Sequence, residues 1–245
     1  MKTFFHYTII FIILTSCSSK TEKLGEPYSN GQISSKYTIS SDGLKNGNYV
    51  TYFENGQKRS EGVYENDKQV GAWTTWHENG NKSSEGQFEN GLLTGEWKFY
   101  FPNGKLQQIN HFEHNKSNGE FTDYNEDGIK IRVGHTINGL LNGKSTNYYT
   151  NGKISSELVY KDSIANGPFI EYFSDGKISA KGTWKDTLML GDYYVYDSLD
   201  ITSFRKYYFY ENGESSDTGF VYKNNKLIQY KIYDKDGKAK YIDAK

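Results

Sequence analysis

Beyond residue 30 the chain is a succession of short runs in which apolar and polar residues alternate, such as KRSEGVY at 58–64 and GAWTTWHE at 71–78. Alternation with a period of two predicts half-buried β-strands. Asn-Gly or Asp-Gly pairs punctuate the runs, beginning at 30, 55, 79, 103, 127, 151, 175, 212 and 236. Five successive intervals are 24 residues; the first is 25 and the one from 175 to 212 is 37. A fixed period of this length marks a repeat array.

Counting each unit from its Asn or Asp as position 0, and allowing one extra residue in the first, columns emerge. Position 16 is glycine at Gly47, Gly71, Gly95, Gly119, Gly143, Gly167 and Gly191. Position 18 carries Tyr49, Trp73, Trp97, Phe121, Phe169 and Tyr193, with Ser145 the exception in the fifth unit. Position 21 carries Tyr52, Trp76, Tyr100, Tyr124, Tyr148, Tyr172 and Tyr196, and a further ring stands at position 9 in Tyr64, Phe88, Phe112, Tyr160 and Trp184. Glycine normally weakens a strand, but it lets a ring lie flat over the neighbouring backbone, so glycine and aromatic columns belong together.

Each unit resolves into two strands and two turns. Asn-Gly favours the type I′ turn, and a polar stretch such as ENDKQV makes the other connection. With both connections short, the expected fold is all-β: an elongated, single-layer antiparallel meander of about eight 24-residue β-hairpin repeats. At about 10 Å of advance per unit it would be roughly 80 Å long. Positions 18 and 21 differ by three, so either the sheet bears rings on both faces or a bulge realigns them. Between Asp192 and Gly213 the chain offers one strand where two are expected, which predicts that the Asn212-Gly213 turn sits on the opposite rim.

Composition sharpens this picture. Aromatics make up 16% of 245 residues while all hydrophobics reach 35%, and mean hydropathy is −0.80. Alanine, the best helix former, is scarce, which argues against an all-α fold. With 29 basic and 30 acidic residues, there is no global field to attract nucleic acid. The start, MKTFFHYTIIFIILTSCSSK, reads as a secretory signal whose apolar run is too short to span a bilayer. Leu14-Thr15-Ser16-Cys17 resembles the lipobox of bacterial lipoproteins, which implies cleavage after residue 16 and lipid attachment at Cys17. The expected organisation is thus a signal peptide at 1–16, a flexible tether at 17–29 and a repeat domain at 30–245.

The pattern NG-K-x4-G-x-Y-x6-G-x-W-x2-Y resembles the bacterial variant of the MORN repeat. That resemblance implies a hairpin ribbon serving as a scaffold, dimerisation element or membrane-proximal interaction surface, and some bacterial members are labelled antitoxin-like. Departures from the pattern occur at Asn110 and Leu158, where position 7 loses glycine, and at Ser145.

No nucleophile or carboxylate pair stands out from the repeat, so no enzyme activity, cofactor or metal is expected. GLLNGKS at 139–145 lacks the first glycine and the strand-loop-helix context of a phosphate loop. His111 and His114 would point to opposite faces of a strand, and Asp234-Lys235-Asp236-Gly237 coincides with a recurring turn. Position 22 varies, and its rings Phe53, Phe101, Tyr149 and Phe173 form doublets with position 21 that leave one ring of each pair for a partner-binding surface. The expected function is a lipid-anchored, non-enzymatic scaffold for protein–protein interaction in a bacterial cell envelope, the outer membrane favoured over the inner. Its expected partners are an unidentified envelope protein, the membrane through Cys17 and a second copy of the chain. The alternative is a cell-wall or carbohydrate-binding module using exposed aromatics.

Overall fold

The computed structural model describes residues 20–186, 188–196, 204–209, 220–233 and 239–244, and every regular element among them is a β-strand. Among these residues 21 strand segments form one sheet. Each pairs antiparallel with its sequence neighbour, from Thr21–Leu24 on Ser35–Ile39 at one end to Lys226–Tyr233 on Ala239–Asp243 at the other. Leu140–Leu141 and Leu188–Met189 are interrupted beginnings of the strands that continue as Gly143–Tyr148 and Gly191–Tyr196. The meander is the fold, and at the usual strand spacing it extends about 100 Å.

The polar segment read as a flexible tether over 17–29 joins the sheet early. Thr21–Leu24 is already a strand, Lys36 reaches Glu22 at 3.0 Å, and the Gly25 N–H donates to the Ser35 carbonyl at 2.9 Å. Two strands, Gly191–Tyr196 and Phe204–Phe209, occupy part of the long interval and pair with each other. Asn212-Gly213 lies outside the described residues.

The Asn-Gly turns are not type I′. Only their glycine is left-handed, with φ of 83° at Gly56, 87° at Gly80 and 84° at Gly104. Phe53 donates its N–H to Gln57 at 2.8 Å and accepts from Gly56 at 2.9 Å, the pattern of a type I turn closed by a left-handed glycine. That loop holds one residue more than a two-residue hairpin, so the register slips beside it: Thr75 faces Ser84, but Trp76 faces Lys82. Paired left-handed residues, as type I′ requires, stand on the opposite rim at Asn66-Asp67 (50° and 62°), His114-Asn115 (49° and 69°) and Asp162-Ser163 (52° and 68°).

The slip falls on the partner strand, so it does not bring positions 18 and 21 to one side. The sheet bears rings on both faces. One face carries the core: Trp73 and Trp97 are 4% exposed, Phe121 5% and Phe169 4%. Position-9 rings wedge between them edge-on, with Phe88 at 5.7 Å from Trp73 and 5.2 Å from Trp97.

The two glycine columns have different causes. A Cβ on Gly86, at position 7, would stand 2.2 Å from Cδ2 of Trp97, so the ring occupies the space that any side chain needs. Gly95, at position 16, meets nothing within 4 Å but has φ of 67°, a conformation costly for other residues. There, three residues of one strand face one of the next, between the pairs Glu85–Lys98 and Gln87–Thr94. The exceptions at Ser145 and Leu158 are one event. They face each other in register, so the side chain missing from one strand is replaced by bulk from its partner.

Both rims are stitched from repeat to repeat. On the Asn-Gly rim, each position-0 Asn among the described residues accepts from its own turn and donates Nδ2 to a carbonyl one unit on, as Asn55 to Glu78 at 3.0 Å, Asn79 to Pro102 at 2.7 Å, Asn103 to Glu126 at 2.9 Å and Asn151 to Ser174 at 2.9 Å. On the other rim, the second turn residue donates its N–H to a carbonyl one unit back, as Gly91 to Gln69 at 2.8 Å and Gly139 to Ser117 at 2.7 Å. Each hairpin is thus locked to its neighbours, which a lone hairpin could not match in stability.

Candidate functional site

Cys17 and the apolar leader lie outside the described residues. The position-22 rings open the Asn-Gly turns, and all four are half-buried rather than exposed. The Tyr149 hydroxyl donates to the Tyr172 carbonyl at 2.6 Å, a cross-repeat bond that His77 and Tyr28 also make, at 2.8 Å each. Phe53 lies 5.8 Å from the Arg59 guanidinium. Phe173 opens a turn in which it accepts from Gly176 at 2.8 Å. Phe101 alone of the four lines one of the depressions described below.

Sequence reading missed a row that only the strand register assembles. On the core face, positions 20 and 5 of successive units stand side by side across twelve strands: Thr51, Ser60, Thr75, Ser84, Phe99, Gln108, Asp123, Arg132, Asn147, Ser156, Glu171 and Ala180. Where the pattern is plain, hydroxyls satisfy each other, with Thr51–Ser60 at 2.6 Å and Thr75–Ser84 at 2.7 Å. Midway the row changes character. Phe99 stacks on Trp97 at 6.2 Å, Gln108 donates Nε2 to Asp123 Oδ1 at 2.7 Å, and Arg132 reaches Asp123 Oδ2 through Nε at 2.9 Å and a terminal nitrogen at 2.8 Å.

At this point the face opens into a depression of 440 Å³ lined by Phe99, Phe101, Gln108, Asp123, Tyr124 and Ile131. Asp123 is 16% exposed at its floor, and Ile131 is 36% exposed at its lip. The rim beside it is altered as well. Asn125, at position 22, spends its carbonyl on its own turn, accepting from Asp127 at 3.1 Å and Ile129 at 2.9 Å, and Asp127, like Asp175 two units on, replaces the position-0 Asn with a side chain that has no proton to donate.

Comparison with known proteins adds one family. Five segments match the MORN repeat variant. They are residues 45–66, 69–90, 93–114, 141–162 and 165–186. MORN repeats are in general scaffolds for protein or membrane interaction, and the family is typically non-enzymatic. The matches leave 115–140 uncovered, and that stretch holds Asp123, Asn125, Asp127 and Arg132. The site therefore straddles the edge of a matched segment, with Phe99, Phe101 and Gln108 inside 93–114 and Asp123, Tyr124 and Ile131 in the uncovered stretch. No curated protein matches. Among solved structures, "Crystal Structure of TcdB2-TccC3-TEV" aligns with 90% of this chain and 15% of its own at 11% identity and a TM-score of 0.21; "Crystal Structure of TcdB2-TccC3-Cdc42" aligns with 92% and 16% at 13% identity and a TM-score of 0.16. Likenesses this loose carry no argument.

A larger depression of 710 Å³, lined by Ile170, Lys181, Thr183, Leu190, Asp192 and Tyr194, has a counterpart at the same repeat positions around Thr74, Glu85, Gln87, Glu96 and Lys98. Recurrence marks it as a product of the repeat architecture rather than a specialised site, and Asp192 is held by Lys206 at 2.8 Å. On the face opposite the core rings, Tyr100 donates its hydroxyl to Glu85 at 2.5 Å. Burial first, then that carboxylate, push the Tyr100 pKa up to about 12, while bonds from Lys82 and Tyr100 lower that of Glu85. His111 Nδ1 donates to the Glu120 carbonyl at 2.9 Å, His114 sits in a turn, and Asn138-Gly139 is a turn between strands, so the phosphate-loop likeness has no helix behind it. Among the described residues no three His, Cys, Asp or Glu side chains are grouped to hold a metal.

Proposed function

We propose that this protein is a lipoprotein of a bacterial cell envelope, anchored by acylation of Cys17, whose ribbon is a non-enzymatic scaffold docking another protein at the 99–132 segment of its core face. Aromatic and charged side chains in the row, with an open depression beside them, support the reading. A repeat array carries its own reference: the row holds hydroxyl pairs at Thr51–Ser60 and Thr75–Ser84 and, Ser156 excepted, other side chains from Phe99 onward, and the sheet forms throughout, so these two positions are not dictated by folding and are free to serve recognition. Here Phe99, Gln108, Asp123 and Arg132 replace hydroxyl pairs, and an open depression sits among them. Strand formation from Thr21 leaves three residues between Cys17 and the sheet, so an acylated Cys17 would hold the first edge of the ribbon within about 15 Å of the bilayer. The specialised unit would then stand halfway along the ribbon, clear of the lipid.

Two measurements test this. Cys17→Ala moves the protein from the membrane fraction to the soluble envelope fraction; unchanged fractionation refutes the anchor. A photo-crosslinking residue at position 101 yields one discrete adduct in cells while the same residue at position 76, on the opposite face, yields none. Equal adducts from both positions, or none from 101, refute docking at this face.

A further inference from the structure

We propose that the depression at Phe99, Phe101 and Asp123 receives a guanidinium group, an arginine side chain of the docked protein. This rests on the scaffold reading and names the chemistry of its partner. The rings of Phe99, Phe101 and Tyr124 line it, and an aromatic quadrupole attracts a cation. Beneath them the polar groups are acceptors in excess. Asp123 Oδ1 takes one bond, from Gln108, and has lone-pair capacity for another; the Gln108 side-chain oxygen also only accepts. A neutral apolar guest would cover these acceptors without bonding them, at a desolvation cost, and an anion would bring further acceptors and no donor. A planar, donor-rich cation meets both requirements, and arginine suits ring faces and carboxylates better than lysine.

The chain already uses this chemistry on the other flank of the same carboxylate. Arg132 pairs with Asp123 Oδ2 while its guanidinium lies 5.0 Å over the Phe121 ring. The proposed guest repeats that arrangement from the solvent side, with Phe99 and Phe101 in place of Phe121. The repeat supplies the contrast: at the same two positions, Thr75 and Ser84 bond each other at 2.7 Å and present neither charge nor ring wall.

The test is a titration of the full-length protein in detergent, followed by amide chemical shifts, with N-acetyl-arginine amide and with its isosteric neutral counterpart N-acetyl-citrulline amide. The arginine derivative is expected to shift amides at 99–101, 108 and 123 and to bind about tenfold more tightly than the citrulline derivative. Asp123→Asn abolishes the difference between the two probes, and Phe101→Ala, which leaves the Asp123–Arg132 pair intact, weakens arginine binding several-fold. Equal response to both probes, or no localised response, overturns the assignment. If the titration is silent while position 101 still crosslinks specifically, the guanidinium falls and the scaffold stands; arginine binding without any crosslink removes the scaffold and leaves a cation site.

Discussion

Asparagine at the head of a repeat makes two bonds at once, accepting from its own turn and donating to the next, whereas aspartate keeps only the first. Asn103→Asp therefore leaves its own turn closed but cuts the bond to Glu126. The expected loss is about 1 kcal/mol, seen as a fall of roughly 2–4 °C in Tm. Asp127→Asn runs the same change in reverse and is expected to raise Tm, by completing the one rung the central unit lacks. Tyr100 offers a pH readout. Its pKa rises from 10.0 to about 12 in the fold, so the folded state favours the neutral phenol. Its stabilising contribution is full below pH 10 and is lost as pH climbs toward about 12. Tyr100→Phe should flatten the decline of Tm across that alkaline window, and an unchanged slope would show that the hydroxyl is not coupled to folding.

Strands and turns respond differently to the same small substitution. Gly86→Ala drives a methyl into the Trp97 ring, and the displaced ring should cost about 1–3 kcal/mol with a shift in tryptophan emission. Gly95→Ala has open space but a left-handed backbone, so its cost of about 1 kcal/mol should leave the emission unchanged. These strands were legible in the sequence, since alternation and the ring columns depend on local spacing alone. The turn type was not, because Asn-Gly satisfies both a type I′ turn and a type I turn closed by glycine, and loop length decides between them. The first strand was hidden for another reason: all four residues of Thr21–Leu24 are exposed, so no hydrophobic alternation marks it. The row at positions 5 and 20 was out of reach because its members are 9 or 15 residues apart in the chain and become neighbours only through register. The column of position-20 residues, Thr51, Thr75, Phe99, Asp123, Asn147 and Glu171, was the signal available, and it first departs from threonine where the depression opens.

At the scale of the whole molecule, the array is a chain of nearest-neighbour contacts in which two stitched rims and a ring-bearing face repeat every 24 residues. Such a ribbon can tolerate a stretch that departs from the pattern without losing its neighbours, which frees that stretch for recognition. The most direct measurement restores the pattern there: Phe99→Thr, Gln108→Ser, Asp123→Thr and Arg132→Ser in one chain, with the photo-crosslinker at position 101. Specialisation for a partner predicts a folded ribbon, its β circular dichroism and cooperative melting retained, that no longer forms the adduct. An adduct undiminished in the folded variant, or a chain that fails to fold once the repeat is regularised, would contradict it.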